Sequence, residues 1–292
     1  MYTIVTDSCC DLHPSVLASF TDVIVLPLSY TIGGVQSYDQ PDTEEKSHAF
    51  YDRLRGGEMS KTSQITPESF VEAFRPLLAD GKDLLYVAFS SGLSGTYNAS
   101  CVARDMLEEE KLPGRLLTVD TLAASAGQGL LVYYVLKNRE AGMSMDENAR
   151  WVEENRLHLS HWFTVDDLNF LKRGGRCSPA AAFFGGMLNI KPVLHVDNEG
   201  HLIAREKVRG RKNALKGVVD HMEETAIDPE KQERIFISHG DCLEDAQTVA
   251  NLVCERMGVP RERIIISPVG PVIGSHSGPG TIALFFLARD RG

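Results

Sequence analysis

No two cysteines of this 292-residue chain stand in a C-x-x-C arrangement, so neither a zinc-ligand spacing nor a thioredoxin-type redox pair is available. Of its six cysteines, Cys9 and Cys10 are adjacent, while Cys101 and Cys254 fall in helix-like patterns and read as small core residues. The G-x-G-x-x-G dinucleotide loop and the G-x-x-x-x-G-K-[ST] phosphate loop are both missing. Basic residues are in deficit, 30 Lys and Arg against 40 Asp and Glu. The resulting net charge of −10 argues against general nucleic-acid binding, which depends on neutralising many phosphates. Long apolar runs are also lacking. The most apolar late stretch, Thr281 to Ala288, is too short to span a bilayer. Tyr2 to Val5 is too short for a leader and is soon followed by Asp7, which makes the cytoplasm the default compartment. Internal repeats and low-complexity segments are not evident.

What is present is ordinary globular material, 43% hydrophobic and 24% charged, and enough of it for two domains with separate cores. Over residues 1–158, buried strands at Tyr2 to Thr6, Val23 to Tyr30, Leu84 to Phe89 and Leu116 to Asp120 alternate with helices. The helices are read at Pro14 to Phe20, Thr43 to Arg55 (Thr43 its cap), Pro67 to Ala79 and Ala124 to Arg139, the last amphipathic. Gly33-Gly34 is a turn, and Lys61-Thr62-Ser63-Gln64 a polar loop. Alternation with short links predicts an α/β fold, a parallel sheet with helices on both faces. A helix near Met145 to Leu157 closes this domain. Residues 159–292 read as a second, α+β domain with a mostly antiparallel sheet. Its signal is the turn Asp197-Asn198-Glu199-Gly200 between Pro192 to Val196 and Leu202 to Lys207. The tail, 271–292, is expected at the cleft between the domains.

The first domain is organised around Ser90 to Ser100, a Gly/Ser turn between the strand Leu84 to Phe89 and a helix. Such a turn offers unpaired N–H groups and the positive end of a helix dipole to a carboxylate or phosphate. Ser94 falls short of the nucleophile elbow G-x-S-x-G, because Thr96 stands where the second glycine belongs. Taken alone it reads as a helix cap. His276 has glycines on both sides, at Gly274 and Gly278, which suit no helix or strand interior. Asp7 and Asp120 read as turn formers, and Asp167 as an N-cap. Two basic clusters, Lys172 to Arg176 and Arg205 to Lys212, stand out on an acidic chain and suit a phosphate-bearing or acidic partner. Ala180 to Leu188 mixes small and large apolar residues, as core or as the wall of a tunnel for an apolar chain.

Together these motifs resemble the DegV family over nearly the whole chain. The resemblance rests on Thr6-Asp7-Ser8 with Asp11-Leu12, Pro27-Leu28, Tyr38-Asp39, Thr62-Ser63-Gln64, Ser91 to Tyr97, Val165 to Leu168, Gly174-Gly175-Arg176, Lys191-Pro192 and Gly274 to Gly280. It implies a non-catalytic lipid-binding protein with no cofactor or metal, whose acyl chain lies between two domains. It also implies a partner, a fatty acid kinase subunit, to which the carboxylate is presented for acyl phosphate formation. Carried over, the carboxylate contacts are Thr62, Ser94 and His276, with Ser63, Gly95 and Thr96 as further loop positions. Where family members often continue Pro-Ser after the Thr62 motif, this chain has Ile65-Thr66. That change keeps the contact hydroxyl and alters the loop. Arg176, Arg205, Lys207, Arg209 and Lys212 are expected to dock the kinase. Two other readings of the residues are an esterase or thioesterase, with Ser94 as nucleophile and His276 as base, and a small phosphometabolite binder.

Overall fold

A computed structural model describes residues 2–40, 44–177 and 189–291 of the chain. Its first half contains β1 (Thr3–Asp7), α1 (Pro14–Leu17), β2 (Val23–Leu26), β3 (Ser29–Ile32), β4 (Val35–Tyr38), α2 (Glu44–Arg55) and β5 (Ser60–Ser63). Then follow α3 (Pro67–Ala79), β6 (Leu84–Ala88), α4 (Thr96–Glu109), β7 (Leu116–Asp120), α5 (Ala126–Glu140) and α6 (Met145–Asn155). The second half contains β8 (Leu159–Thr164), α7 (Asn169–Gly174), β9 (Ile190–Val196), β10 (Leu202–Arg209), α8 (Arg211–Thr225) and β11 (Ile235–His239). It ends with α9 (Leu243–Met257), β12 (Ile264–Pro268), α10 (Pro271–Ser277) and β13 (Ile282–Leu287).

Strands β1 and β6 are buried at every residue, as central strands of a sheet covered on both faces are. They sit at the centre of a parallel sheet of order β2-β1-β6-β7. Alternate residues serve opposite faces. Ile4, Leu85, Val87 and Val119 pack toward α5, whereas Val5, Leu84, Tyr86 and Ala88 pack against Phe70 and Phe74 of α3 and Ala103 of α4. The α/β/α arrangement expected from the alternation of elements is present.

The second half builds a six-stranded mixed sheet of order β10-β9-β8-β13-β11-β12, antiparallel except for the β11–β12 pair. The β9–β10 hairpin forms at the predicted turn. One face carries Trp162, Leu284, Phe286 and Ile237 against α8 and α9. The other face carries Phe163, Phe285 and Phe236 toward α5. Helix α5 therefore touches both large sheets, β1 and β6 on one side and β8, β11 and β13 on the other. That corrects its reading as amphipathic: eleven of its fifteen residues are buried, because it has a sheet on each side rather than a wet face.

Three other local expectations change. Val23 to Tyr30 is two strands, broken at Pro27-Leu28, where the Leu28 N–H donates to Ser8 Oγ at 3.1 Å instead of to a neighbouring strand. The segment read as a polar loop, 61–64, largely belongs to β5, which pairs antiparallel with β3 in a three-stranded sheet of order β4-β3-β5. Its residues alternate between half-buried and exposed, Ser60 and Thr62 facing in, with no apolar side chain to mark the alternation. Helix α1 stops at Leu17, short of Phe20. Cys101 and Cys254 lie on α4 and α9 but are only half-buried, while Cys9 and Cys10 are the buried pair. Thr43 and Ala180 to Leu188 lie outside the described residues.

Candidate functional site

The carboxyl ends of β1, β6 and β7 open onto the inner face of the six-stranded sheet, and between them lies a cavity of about 480 Å³. That volume is within the usual range for small-molecule sites, about 300–1,000 Å³. Cys9, Phe89, Leu93, Ser94, Ala124 and Ser125 contribute from the parallel-strand side, and His161, Phe163, Ser238, Ala283 and Phe285 from the sheet. Half of the lining is apolar. Among the described residues that line it there is no Asp, Glu or Lys, and Arg176 is the one permanent charge.

Thr62, Ser94 and His276 all line this cavity. Strand β5 and helix α10 bring together two side chains 214 positions apart, Thr62 Oγ1 and His276 Nε2 sharing a hydrogen bond of 2.8 Å. The expectation that His276 suits no helix is corrected here, since it occupies α10, a seven-residue helix entered by Pro271 and left at Gly278 with φ 78°. Gly174 makes room for the ring: a Cβ there would lie 2.2 Å from His276 Nδ1. That nitrogen is buried and has no partner among the described residues. Ser94 Oγ accepts the Thr96 N–H at 3.2 Å and shares a bond of 2.9 Å with Thr96 Oγ1. It thus holds the first N–H of α4 from one residue before the cap, which is Gly95 and not Ser94 as its position suggested, while also facing the cavity. Ser63 lines the cavity as well, whereas Gly95 and Thr96 do not. Gly95 is instead pressed against Gln64, and Thr96 is fully buried.

Arg176 parts company with the other basic residues. Its guanidinium donates to the backbone oxygens of Leu93 at 3.2 Å and Gly174 at 2.5 Å, at the cavity wall. Arg205, Lys207 and Arg209 on β10 and Lys212 on α8 are exposed. Asp7 and Asp120 accept from the backbone amides of Cys9 and Leu122, as turn formers do, and Asp167 accepts the Asn169 N–H at 2.9 Å. The pairing a serine hydrolase needs is not formed, because the Ser94 hydroxyl is engaged with Thr96 and the His276 imidazole with Thr62. Among the described residues, His48, Asp52 and Asp241 form a group of metal-ligand type, but the Arg55 guanidinium already bridges both carboxylates. Sequence reasoning did not single out Ser125, His161, Ser238 or Ser277, polar cavity residues set in otherwise apolar or small-residue segments.

Burial, and then the Arg176 charge, push the His276 imidazole down from 6.5 to about 4. The ring is therefore neutral near pH 7, and the cavity keeps the single positive charge of Arg176. An unfolded chain takes up this proton near pH 6.5, whereas the folded one waits until about pH 4. Stability is intact above pH 6.5 and falls through that window on acidification, by on the order of 3 kcal/mol. His276→Gln should shed that share of the acid sensitivity in denaturation curves taken from pH 7 to pH 4. Identical pH dependence in the two proteins would contradict it.

The family model described as "Uncharacterised protein, DegV family" matches residues 1–289. A DegV domain-containing protein of Clostridium perfringens is 46% identical over 290 residues, 99% of this chain and 98% of its own. Among solved structures, a DegV family protein of Thermus thermophilus described for its fatty acid binding superposes with a TM-score of 0.85. It is 31% identical, over 98% of this chain and 99% of that one. A DegV lipid-binding protein of Thermotoga maritima superposes equally well, TM-score 0.85 at 29% identity, with both chains fully covered. The chain belongs to the DegV family.

Proposed function

We propose that this protein binds a long-chain fatty acid in the cavity between two domains, divided near residue 158, and presents its carboxylate to a fatty acid kinase in the cytoplasm. The observation that carries the reading is the cavity itself, apolar over half its lining and free of acidic side chains among the described residues, with Thr62, Ser94 and His276 on its wall. Relatives described as binding fatty acids, from Thermus thermophilus and from Bacillus subtilis, support it.

The energetics divide the work. About fourteen buried methylenes at about 0.8 kcal/mol each supply ~11 kcal/mol before the cost of association. The apolar wall thus provides most of the affinity. The head group has to stay hydrogen-bonded, because an unpaired buried carboxylate costs several kcal/mol. Thr62, Ser94 and the His276 imidazole are assigned that task, with Ser63 beside them. Two hydroxyls and a neutral imidazole leave a carboxylate oxygen available as a nucleophile toward phosphate. Titration of delipidated protein with octadecanoic acid should saturate at one acid per chain, and failure to bind would refute the reading.

The kinase step rests on charge. Arg205, Lys207, Arg209 and Lys212 are exposed basic residues within one short stretch of an acidic chain, suited to an acidic partner surface or to nucleotide phosphate. Arg176 is assigned instead to the cavity rim, where its charge favours an anionic head group. Reversal at Arg205 and Arg209 together should slow kinase-dependent acyl phosphate formation about ten-fold or more at low salt while fatty acid binding persists. Unchanged formation of acyl phosphate would remove these residues from the docking surface.

A further inference from the structure

Ser125 precedes α5 but does not cap it. Its φ of 54° and ψ of −148° lie in a strained region open essentially to glycine. A serine at that position ordinarily satisfies a free helix N–H, and Ser125 makes no such side-chain bond. Its hydroxyl turns the other way, donating to Asp11 Oδ2 at 2.5 Å and meeting Ser238 Oγ at 2.9 Å. All three residues are buried, and both serines line the cavity. Asp11 is fixed in turn by a left-handed backbone, φ 43°, and by the Gly270 N–H, which donates to Oδ1 at 2.9 Å.

The chain Asp11–Ser125–Ser238 ends at the cavity with one hydrogen-bonding valence open. With Asp11 ionised, Ser125 donates to it and accepts from Ser238, so Ser238 presents only lone pairs. With a proton on Oδ2, both bonds reverse and Ser238 has a hydrogen to give. A hydroxyl answers either state, a carbonyl only one, and a methylene neither. On the other side of β13 from Ser238, on the same sheet face, lies His161. Ser238 pairs with Ala283 and His161 with Phe285, two residues along that strand. The His161 ring lines the cavity, and burial holds it well below its usual pKa against a weak pull from the Leu159 backbone; neither nitrogen makes a hydrogen bond of ordinary length and angle among the described residues. An all-methylene chain leaves the open side of Ser238 Oγ unused and the His161 nitrogens unanswered, and buried polar atoms without partners are costly.

We propose that the preferred cargo is a fatty acid bearing a hydroxyl group away from its carboxylate, held by Ser238 Oγ with Ser125 and Asp11 behind it. This rests on the fatty-acid reading above and adds the substrate class. Sites built around a hydroxyl discriminate strongly against the analogue that lacks it. The test is competition between octadecanoic acid and a panel of its monohydroxy positional isomers on delipidated full-length protein. At least one isomer should bind about ten-fold or more tightly than octadecanoic acid. Ser238→Ala should abolish that ratio. Ser125→Gly, which suits the strained backbone, should reduce it independently should the first variant fold poorly. Equal or tighter binding of octadecanoic acid against every isomer, or a preference that survives both substitutions, overturns the inference and leaves fatty-acid binding standing. Binding of no acid at all overturns both.

Discussion

Replacement of His276 by alanine should weaken retention of a long-chain fatty acid by about ten- to hundred-fold, the cost of one lost hydrogen bond to a charged group in a buried site. Two effects add in this variant. On the proposed assignment the carboxylate loses the imidazole, and Thr62 loses the 2.8 Å partner that orients its hydroxyl. Thr62→Val should therefore reproduce part of the loss, and the double substitution should fall short of the sum, as coupled neighbours do. Competition against a fluorescent fatty acid measures all three. Retention unchanged in both single variants would move the head group elsewhere in the cavity.

A second large effect is expected from backbone packing alone. A Cβ added at Gly92 would lie 2.6 Å from the Glu199 oxygen and 2.9 Å from both the carbonyl carbon and the oxygen of Gly200. Each of these atoms is backbone, in the turn between β9 and β10, so no side chain can swing aside. The Ser90 hydroxyl donates to that same Gly200 oxygen at 2.9 Å, which fixes the turn against the loop. Gly92→Ala should destabilise the protein by about 3 kcal/mol, the upper end of what overpacking costs. It should also weaken fatty acid binding, because Leu93 and Ser94 on the same loop line the cavity. Guanidinium denaturation and the same competition assay report the two effects. Stability within about 0.5 kcal/mol of wild type, the range of an ordinary surface change, would show that the hairpin does not rest on this loop.

Where an element buries both faces or ends in strong turn chemistry, its residues announce it. Strand β6 reads directly as an apolar run, β1 and β7 as short apolar cores closed by Asp7 and Asp120, and the β9–β10 hairpin follows from Asp197 to Gly200. Strand β5 does not read at all, because Ser60-Lys61-Thr62-Ser63 carries its alternation in polar side chains. Helix α5 misleads for the opposite reason, a second sheet having replaced its solvent. The site divides in the same way. Ser94 is visible from its Gly/Ser turn and His276 from its flanking glycines, but the Thr62–His276 contact spans 214 positions, and only the family resemblance joins the three. Arg176 reads from sequence as one of a surface cluster and is instead turned to the cavity. Ser125, His161 and Ser238 are silent in sequence, since a polar residue in a buried segment acquires meaning only from what folding puts opposite it.

On the proposed function, the cavity beside Ser94 and His276 holds an acyl chain with its acid end against them. Native mass spectrometry of the purified full-length chain tests it most directly. The expected result is a species heavier than the polypeptide by one long-chain carboxylic acid, released on unfolding and reloaded from added acid. A mass equal to the bare polypeptide, unchanged after incubation with long-chain acids, would contradict it.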